Sequence, residues 1–90
     1  MDIEKIREKI DAIDKEILDL LKERFSFMPE IAKYKQGEEI EIEDKTQEGK
    51  VISRALVRAG VRGLDSSFVR GLFEDIIKES KRLQKKHFTK

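Results

Sequence analysis

Residues 3–36 read IEKIREKIDAIDKEILDLLKERFSFMPEIAKYKQ, and the architecture of the chain follows from this segment. Apolar side chains recur in it at intervals of three and four residues: Ile3, Ile6, Ile10, Ile13, Ile17, Leu20, and then Met28 and Ile31. Because a helix advances about 100° per residue, these side chains share one face. The stretch therefore predicts one long amphipathic helix, from Ile3 to about Lys35, with Asp2 as its N-cap.

Two cations interrupt this apolar stripe, because Arg24 and Lys35 occupy positions at which the periodicity requires apolar residues. A buried cation is unfavourable unless an anion lies beside it. The sequence offers no obvious anion on that face of the helix, so the simplest partner for these cations is an anionic ligand. Two structural explanations stay open: Arg24 could pair with a glutamate across a dimer seam, and Lys35 could extend outward at the helix end.

The length and composition of the chain indicate a single domain over residues 1–90. There is no cysteine, so the chain has neither disulfides nor thiolate metal sites, and we expect no metal or cofactor. The 20 basic and 19 acidic residues nearly cancel, which argues against general nucleic-acid binding. The first residues lack a signal-peptide core and no apolar run reaches membrane-spanning length, so we expect a soluble, cytoplasmic protein.

Local signals divide the rest of the chain. Pro29 should kink the long helix or loosen one turn, the alternative being two helices broken there. The pair Gln36-Gly37 should end the helix through a left-handed residue. Residues 38–43, EEIEIE, alternate as a strand does, but the sequence offers no partner strand, so we expect a loop. Asp44 followed by Gln47 resembles a capping box that opens a second helix.

The second and third predicted helices complete an all-α fold of three helices. Gly60 should end the second, whose apolar face is Val51, Ile52, Ala55 and Leu56. Asp65 with Ser66 and Ser67 caps the third, whose inner face is Phe68, Val69, Leu72, Phe73, Ile76 and Ile77, continued by Ser80, Leu83 and Gln84. A helix of about 33 residues is about 50 Å long. It must project beyond a compact chain, whose radius of gyration would be about 12 Å. We therefore expect an intertwined homodimer in which a second copy covers the stripe.

Several polar residues fall on or beside these inner faces: Arg7, Arg24, Lys35, Asp44, Glu48, Ser80 and Gln84. Singly, Ser80 and Gln84 could be a polar helix end, Asp44 an N-cap and Glu48 a first-turn acid. Together they are typical of a small polar pocket in a helical bundle. No cysteine, inward histidine or serine with a neighbouring base supports covalent catalysis. The set instead suits a dianion whose charge shifts during reaction.

These residues resemble the all-helical class of chorismate mutases over essentially the whole chain. The motifs are residues 6–14 (IREKIDAID), 20–24 (LLKER), 31–35 (IAKYK), 44–48 (DKTQE) and 73–77 (FEDII), which lead to Ser80 and Gln84. The resemblance implies a homodimer with two composite sites that converts chorismate to prephenate, on the way to phenylalanine and tyrosine.

The resemblance also implies roles for the matching positions. Arg24, with Arg7 from the other chain, would bind the two substrate carboxylates. Lys35 and Gln84 would donate hydrogen bonds to the ether oxygen whose bond breaks. The ring hydroxyl would be held by Glu48 and the Asp44 region, and Ser80 would contact the ring-side carboxylate. The rearrangement is pericyclic and needs no nucleophile, so positioning and electrostatic stabilisation would supply the catalysis.

Two positions depart from the family pattern, and other functions stay open. Gln47 stands where the family often has arginine, and Pro29 is uncommon in the first helix. Residues 63–69 (GLDSSFV) and 71–73 (GLF) resemble isochorismate pyruvate lyases of the same fold. A non-enzymatic helical dimerisation module, or a mutase domain that regulates a pathway enzyme, are the further alternatives.

Overall fold

The computed structural model describes residues 2–88, and these residues are helical with connecting loops. The four helices are α1 (Ile3–Ser26), α2 (Met28–Gly37), α3 (Lys45–Val61) and α4 (Ser66–His87). No strand occurs between residues 2 and 88, so the prediction of an all-α chain with a loop at 38–43 is confirmed. Met1, Thr89 and Lys90, at the ends of the predicted domain, lie outside the described residues.

The predicted long helix is divided at Phe27, so the chain has four helical segments and not three. Pro29 has no N–H to donate to the carbonyl of Phe25, and the helix is interrupted at Phe27, two residues before the proline. Phe27 keeps right-handed dihedrals, with φ −85° and ψ −7°. The longest dimension of the molecule is 57 Å, close to the roughly 52 Å of α1 and α2 placed end to end. The two segments therefore continue one another across a one-residue interruption.

The helix starts follow the local capping rules. Asp2 accepts a hydrogen bond from the Glu4 N–H at 3.0 Å, and Asp65 accepts one from the Phe68 N–H at 2.8 Å. Both residues are extended, as N-caps are, so both predictions are confirmed.

Helices α2 and α3 end at or within one residue of the predicted glycines, Gly37 and Gly60, but neither glycine adopts the left-handed conformation. The left-handed residue after α2 is Glu39, with φ 56°, and not Gly37. Gly60 lies within α3, which continues to Val61, and Gly63 adopts the left-handed conformation with φ 69°. In each case the residue after the left-handed one donates to a carbonyl five residues back, which is the Schellman ending. The closure of this bond, and not the nearest glycine, fixes where each helix ends.

The core is small, and α4 forms it by packing against both α2 and α3. Ala55, Ala59 and Val69 make its centre, because two alanines allow α3 to approach α4 closely. Part of the predicted inner face of α4 is exposed: Phe68 is 67% and Leu72 44% accessible. The hydrophobic period identifies a face, whereas the neighbouring helices cover only part of it.

Helix α1 contributes no buried residue. Its stripe is bare, since Ile3, Ile10, Ile13, Ile17 and Leu20 are all more than half exposed. The radius of gyration is 16.4 Å, well above the roughly 12 Å of a compact chain of this length. The prediction that a long helix projects with its apolar stripe uncovered is confirmed. No helix among the described residues is long and apolar enough to cross a membrane.

Candidate active site

A cavity of about 180 Å³ lies where the end of α1, helix α2, the start of α3 and the end of α4 meet. Six of the seven predicted site residues line it: Arg24, Lys35, Asp44, Glu48, Ser80 and Gln84. Gln47 and the apolar side chains of Met28, Ile31, Ile42, Val51 and Ile77 complete much of the wall. The fold therefore brings together polar residues from four segments in one concave space.

The guanidinium of Arg24 is oriented by Ser80. Its Nη1 donates to the Ser80 Oγ at 2.7 Å, and that hydroxyl donates onward to the Ile76 carbonyl at 2.8 Å. Desolvation lowers the pKa of Arg24 from its ordinary value. Among residues 2–88, no carboxylate lies within ion-pair distance of this side chain. An anionic ligand beside Arg24 would offset the cost of its desolvation.

Lys35 connects α2 to the loop that follows it. Its Nζ donates to the Ile42 carbonyl at 2.6 Å, and the side chain is half-buried. It does not extend outward to solvent, which was one of the two explanations left open. In the described part of the chain it also forms no ion pair. The loop between α2 and α3 is thereby held against the cavity by an ammonium whose charge is not neutralised.

The start of α3 presents two acids to the cavity through its cap. Asp44 accepts from the Gln47 N–H at 3.1 Å, so it is the predicted N-cap. The reciprocal bond comes from Glu48, whose Oε2 accepts the Asp44 N–H at 3.3 Å. The predicted capping box is therefore wrong in its second half, because the side chain one position further along reaches back. The cap fixes both carboxylates by backbone bonds.

Gln84 is buried in the cavity but only weakly held. It is only 5% exposed, and its Nε2 donates to the Met28 Sδ at 3.6 Å. Its Oε1 is buried without a hydrogen-bond partner among the described residues. Sulfur is a poor acceptor and a buried amide oxygen without a partner is unfavourable. The amide can therefore exchange its present contact for one to a polar ligand at little cost.

Lys81 lines the same cavity, although the sequence did not identify it. Its Nζ lies 3.2 Å from Glu43 Oε1 and 3.4 Å from Glu48 Oε1. The hydrogen bond to Glu43, followed by the charge of Glu48, raises the pKa of Lys81. Lys81 lies beside the apolar stripe of α4, so the hydrophobic period does not mark it. Its place three residues before Gln84 was the available signal, since such residues are neighbours on a helix.

Arg7 is the one predicted site residue that does not line this cavity. It lies on the exposed surface of α1 and forms an ion pair with Glu4 at 2.9 Å. Residues 7 and 24 are about 25 Å apart along a helix, too far for a side chain to span. Within one chain, Arg7 therefore contributes nothing to the site.

The arrangement of these side chains suits the binding of an anion and the stabilisation of negative charge. Arg24, Lys35 and Lys81 face Asp44 and Glu48, which leaves the lining with one net positive charge. Among residues 2–88, no group of three His, Cys, Asp or Glu is arranged to hold a metal ion. Such a cavity suits a small anion with several oxygen acceptors.

Comparison with known proteins agrees with this chemistry. The family described as chorismate mutase type II matches residues 6–85. A secreted chorismate mutase of Yersinia pestis is 37% identical over 65 residues, 72% of this chain and 35% of that protein. A chorismate mutase of Methanocaldococcus jannaschii is 33% identical over 82 residues, which cover 91% of this chain and 83% of that one.

A third relative is named for a different substrate. A 4-amino-4-deoxychorismate mutase of Streptomyces venezuelae is 30% identical over 83 residues, 92% of this chain and 81% of that protein. The chain thus spans about a third of the length of the Yersinia protein and about four fifths of the other two.

Proposed function

The chain belongs to the type II chorismate mutase family, and we propose that it is an isomerase that converts chorismate to prephenate. The observation that carries the proposal is the cavity where Arg24 and Lys35, two cations without carboxylate partners in the described chain, meet Ser80 and Gln84. The substrate is a compact dicarboxylate, and this lining provides cations for its carboxylates and donors for its ether oxygen.

The proposed mechanism uses position and charge. Arg24, already directed by Ser80, would bind a substrate carboxylate through paired guanidinium N–H groups. Lys35 and Gln84 would donate to the ether oxygen, on which negative charge grows as its carbon–oxygen bond breaks. A donor that strengthens its bond only as that charge develops lowers the barrier. The half-buried setting increases the effect because little water competes.

The two acids would hold the ring end of the substrate. Glu48 and the Asp44 region would accept from the ring hydroxyl, and Ser80 would contact the ring-side carboxylate. The backbone bonds that fix Asp44 and Glu48 support this part, since an acceptor that is already oriented selects the compact reactive conformer. We expect no metal or cofactor to take part.

We also propose an intertwined homodimer in which Arg7 reaches the partner's cavity. The bare stripe of α1 supports it, as does a second groove of about 450 Å³ beside Arg24, between α3 and α4. That groove combines apolar and basic side chains: Leu64, Phe68, Leu72, Arg54, Arg58 and Arg62. Two uncovered apolar surfaces on one chain are what a second copy would cover, and α1 carries acids beside its stripe to meet the arginines.

The test is the loss of chorismate absorbance with identification of the product. Prephenate without pyruvate supports the proposal. Pyruvate from isochorismate would favour the lyase alternative, and no turnover would favour a dimerisation module. Because one relative is a 4-amino-4-deoxychorismate mutase, the amino analogue is assayed in parallel. Preferential turnover of that analogue would contradict the proposed substrate.

We propose that the reaction serves phenylalanine and tyrosine synthesis in the cytoplasm. The Yersinia relative is named as secreted, so location needs its own measurement. Fractionation of the source cells, with an antibody to this chain, gives it directly.

A further inference from the structure

The carboxylate of Glu48 has both of its oxygens engaged. Oε2 accepts the Asp44 N–H at 3.3 Å, and Oε1 lies 3.4 Å from the Lys81 Nζ. Within residues 2–88, Lys81 is the only cationic side chain within 4 Å of this carboxylate. Both side chains are only partly exposed to water, at 26% for Lys81 and 25% for Glu48. The cation beside Glu48 therefore comes from another helix, and Glu48 shares it with Glu43, which lies 3.2 Å from the same ammonium.

Charge balance matters here because the proposed ligand is a dianion. Without Lys81, the two cations Arg24 and Lys35 would face the two acids Asp44 and Glu48, and the lining would be neutral. An unpaired carboxylate in a half-buried cavity repels an incoming dicarboxylate more strongly than it would in water. Gln47, which also lines the cavity, brings no charge. Lys81 is therefore one of the three cations that the lining needs to be positive, and the one that lies against an acid of the lining.

We propose that Lys81 is a positioning residue for this site, which orients Glu48 and offsets its charge so that a dicarboxylate can bind beside it. The inference rests on the proposed function. Lys81 acts through Glu48 and does not contact the reacting atoms. Its raised pKa, caused first by Glu43 and then by Glu48, keeps the ammonium charged at any ordinary pH.

The contact between Lys81 and Glu43 suggests a different role for Lys81, and the experiment must distinguish it from the positioning of Glu48. Lys81 Nζ lies 3.2 Å from Glu43 Oε1, and Glu43 belongs to the loop that Lys35 holds through the Ile42 carbonyl. Lys81 could therefore act only as a clamp on that loop. Glu43 is exposed and lies outside the cavity, whereas Glu48 lines it. Removing the charge of each acid in turn distinguishes the two roles.

The first measurement compares Lys81→Met and Lys81→Arg with wild type, using the full chain and chorismate. We expect Lys81→Met to raise KM roughly ten- to hundredfold, the range for losing one hydrogen bond to a charged group, with a much smaller change in kcat. Lys81→Arg should keep KM near wild type, because it retains the charge. The matched control is Lys78→Met, an exposed lysine on α4 that does not line the cavity, and it should change neither constant. Thermal unfolding of each variant identifies any loss that comes from misfolding.

The second measurement is a pair of double-mutant cycles. In a Glu48→Gln background, Lys81→Met should have little further effect on KM, since no charge is left to balance. In a Glu43→Gln background, the full effect of Lys81→Met should persist, and Glu43→Gln alone should resemble wild type. Gln47→Arg combined with Lys81→Met should bring KM back toward wild type, because position 47 lines the same cavity and can supply the missing cation.

The outcomes separate this inference from the proposed function. If wild type converts chorismate and Lys81→Met keeps its KM, the role of Lys81 is overturned and the proposed function stands. If Glu43→Gln reproduces the loss, the loop clamp is the correct role and the inference is overturned. If wild type does not convert chorismate, the proposed function fails and this inference fails with it.

Discussion

Replacing Arg7 in one subunit and Lys35 in the other tests whether the site is shared between chains. Arg7 lies on exposed α1, and its separation from Arg24 corresponds to about 25 Å along a helix. Lys35 lines the cavity of its own chain. If the partner's α1 delivers Arg7 to that cavity, homodimers of Arg7→Ala and of Lys35→Ala should both be nearly inactive. Each then lacks one cation in every site.

A mixed dimer contains one intact site. One of its cavities combines a native Lys35 with a native Arg7 from the other chain, and the second cavity carries both lesions. Random pairing makes roughly half of the dimers mixed, each with one good site of two, so activity should recover to roughly a quarter of wild type. The recovery depends only on symmetry and not on the size of either single defect.

The assay is the rate of chorismate loss per dimer after co-expression of the two variants with different affinity tags. Co-expression avoids slow subunit exchange, and isolation through both tags should raise the activity of the mixed fraction to roughly half of wild type. Lys9→Ala, an exposed lysine on the same helix, replaces Arg7→Ala as the control. Recovery no greater than the sum of the two parent homodimers would mean that Arg7 does not serve the partner's site, and the proposed intertwined homodimer with shared sites would be refuted.

Three further predictions concern the chemistry of the cavity. Lys35→Ala and Gln84→Ala should each lower kcat about 10²–10³-fold, the range for losing one transition-state donor, with little change in the midpoint of thermal unfolding. Near-normal turnover in both variants would contradict the proposed hydrogen bonds to the ether oxygen. The control is Lys33→Ala, which changes an exposed lysine. Gln84→Glu should make kcat higher at acid pH, because burial raises the pKa of a carboxyl group and only its protonated form donates a hydrogen bond. The kcat of this variant should therefore fall as pH rises through that pKa. A kcat that does not change with pH would argue against direct contact between residue 84 and the ether oxygen. Chelation with EDTA should leave kcat unchanged, and activity that is lost and then restored by a divalent cation would contradict the proposed mechanism.

Sequence alone determined the features that depend on neighbours along the chain. The intervals of three and four residues predicted the long helical path and its bare stripe, because a helix places such residues on one face whatever surrounds them. The N-caps Asp2, Asp44 and Asp65 were predictable because each side chain bonds to an N–H two or three residues ahead. Arg24 and Lys35 stood out for the same local reason, since each breaks an apolar period.

Tertiary structure decided which faces meet and which groups reach across. Arg24 and Ser80 are 56 residues apart in sequence, and so are Gln84 and Met28. Hydrophobic periodicity does not predict that the residues of either pair are in contact. The pairing of Lys81 with Glu48 depends on how α4 is rotated about its own axis relative to α3. Hydrophobic spacing identifies the inner side of a helix but does not fix this rotation more finely. The exposure of Phe68 likewise depends on which helix lies opposite. A helical period fixes a direction around one axis, whereas a site requires the relative position of several axes, and only packing and loop closure fix that position.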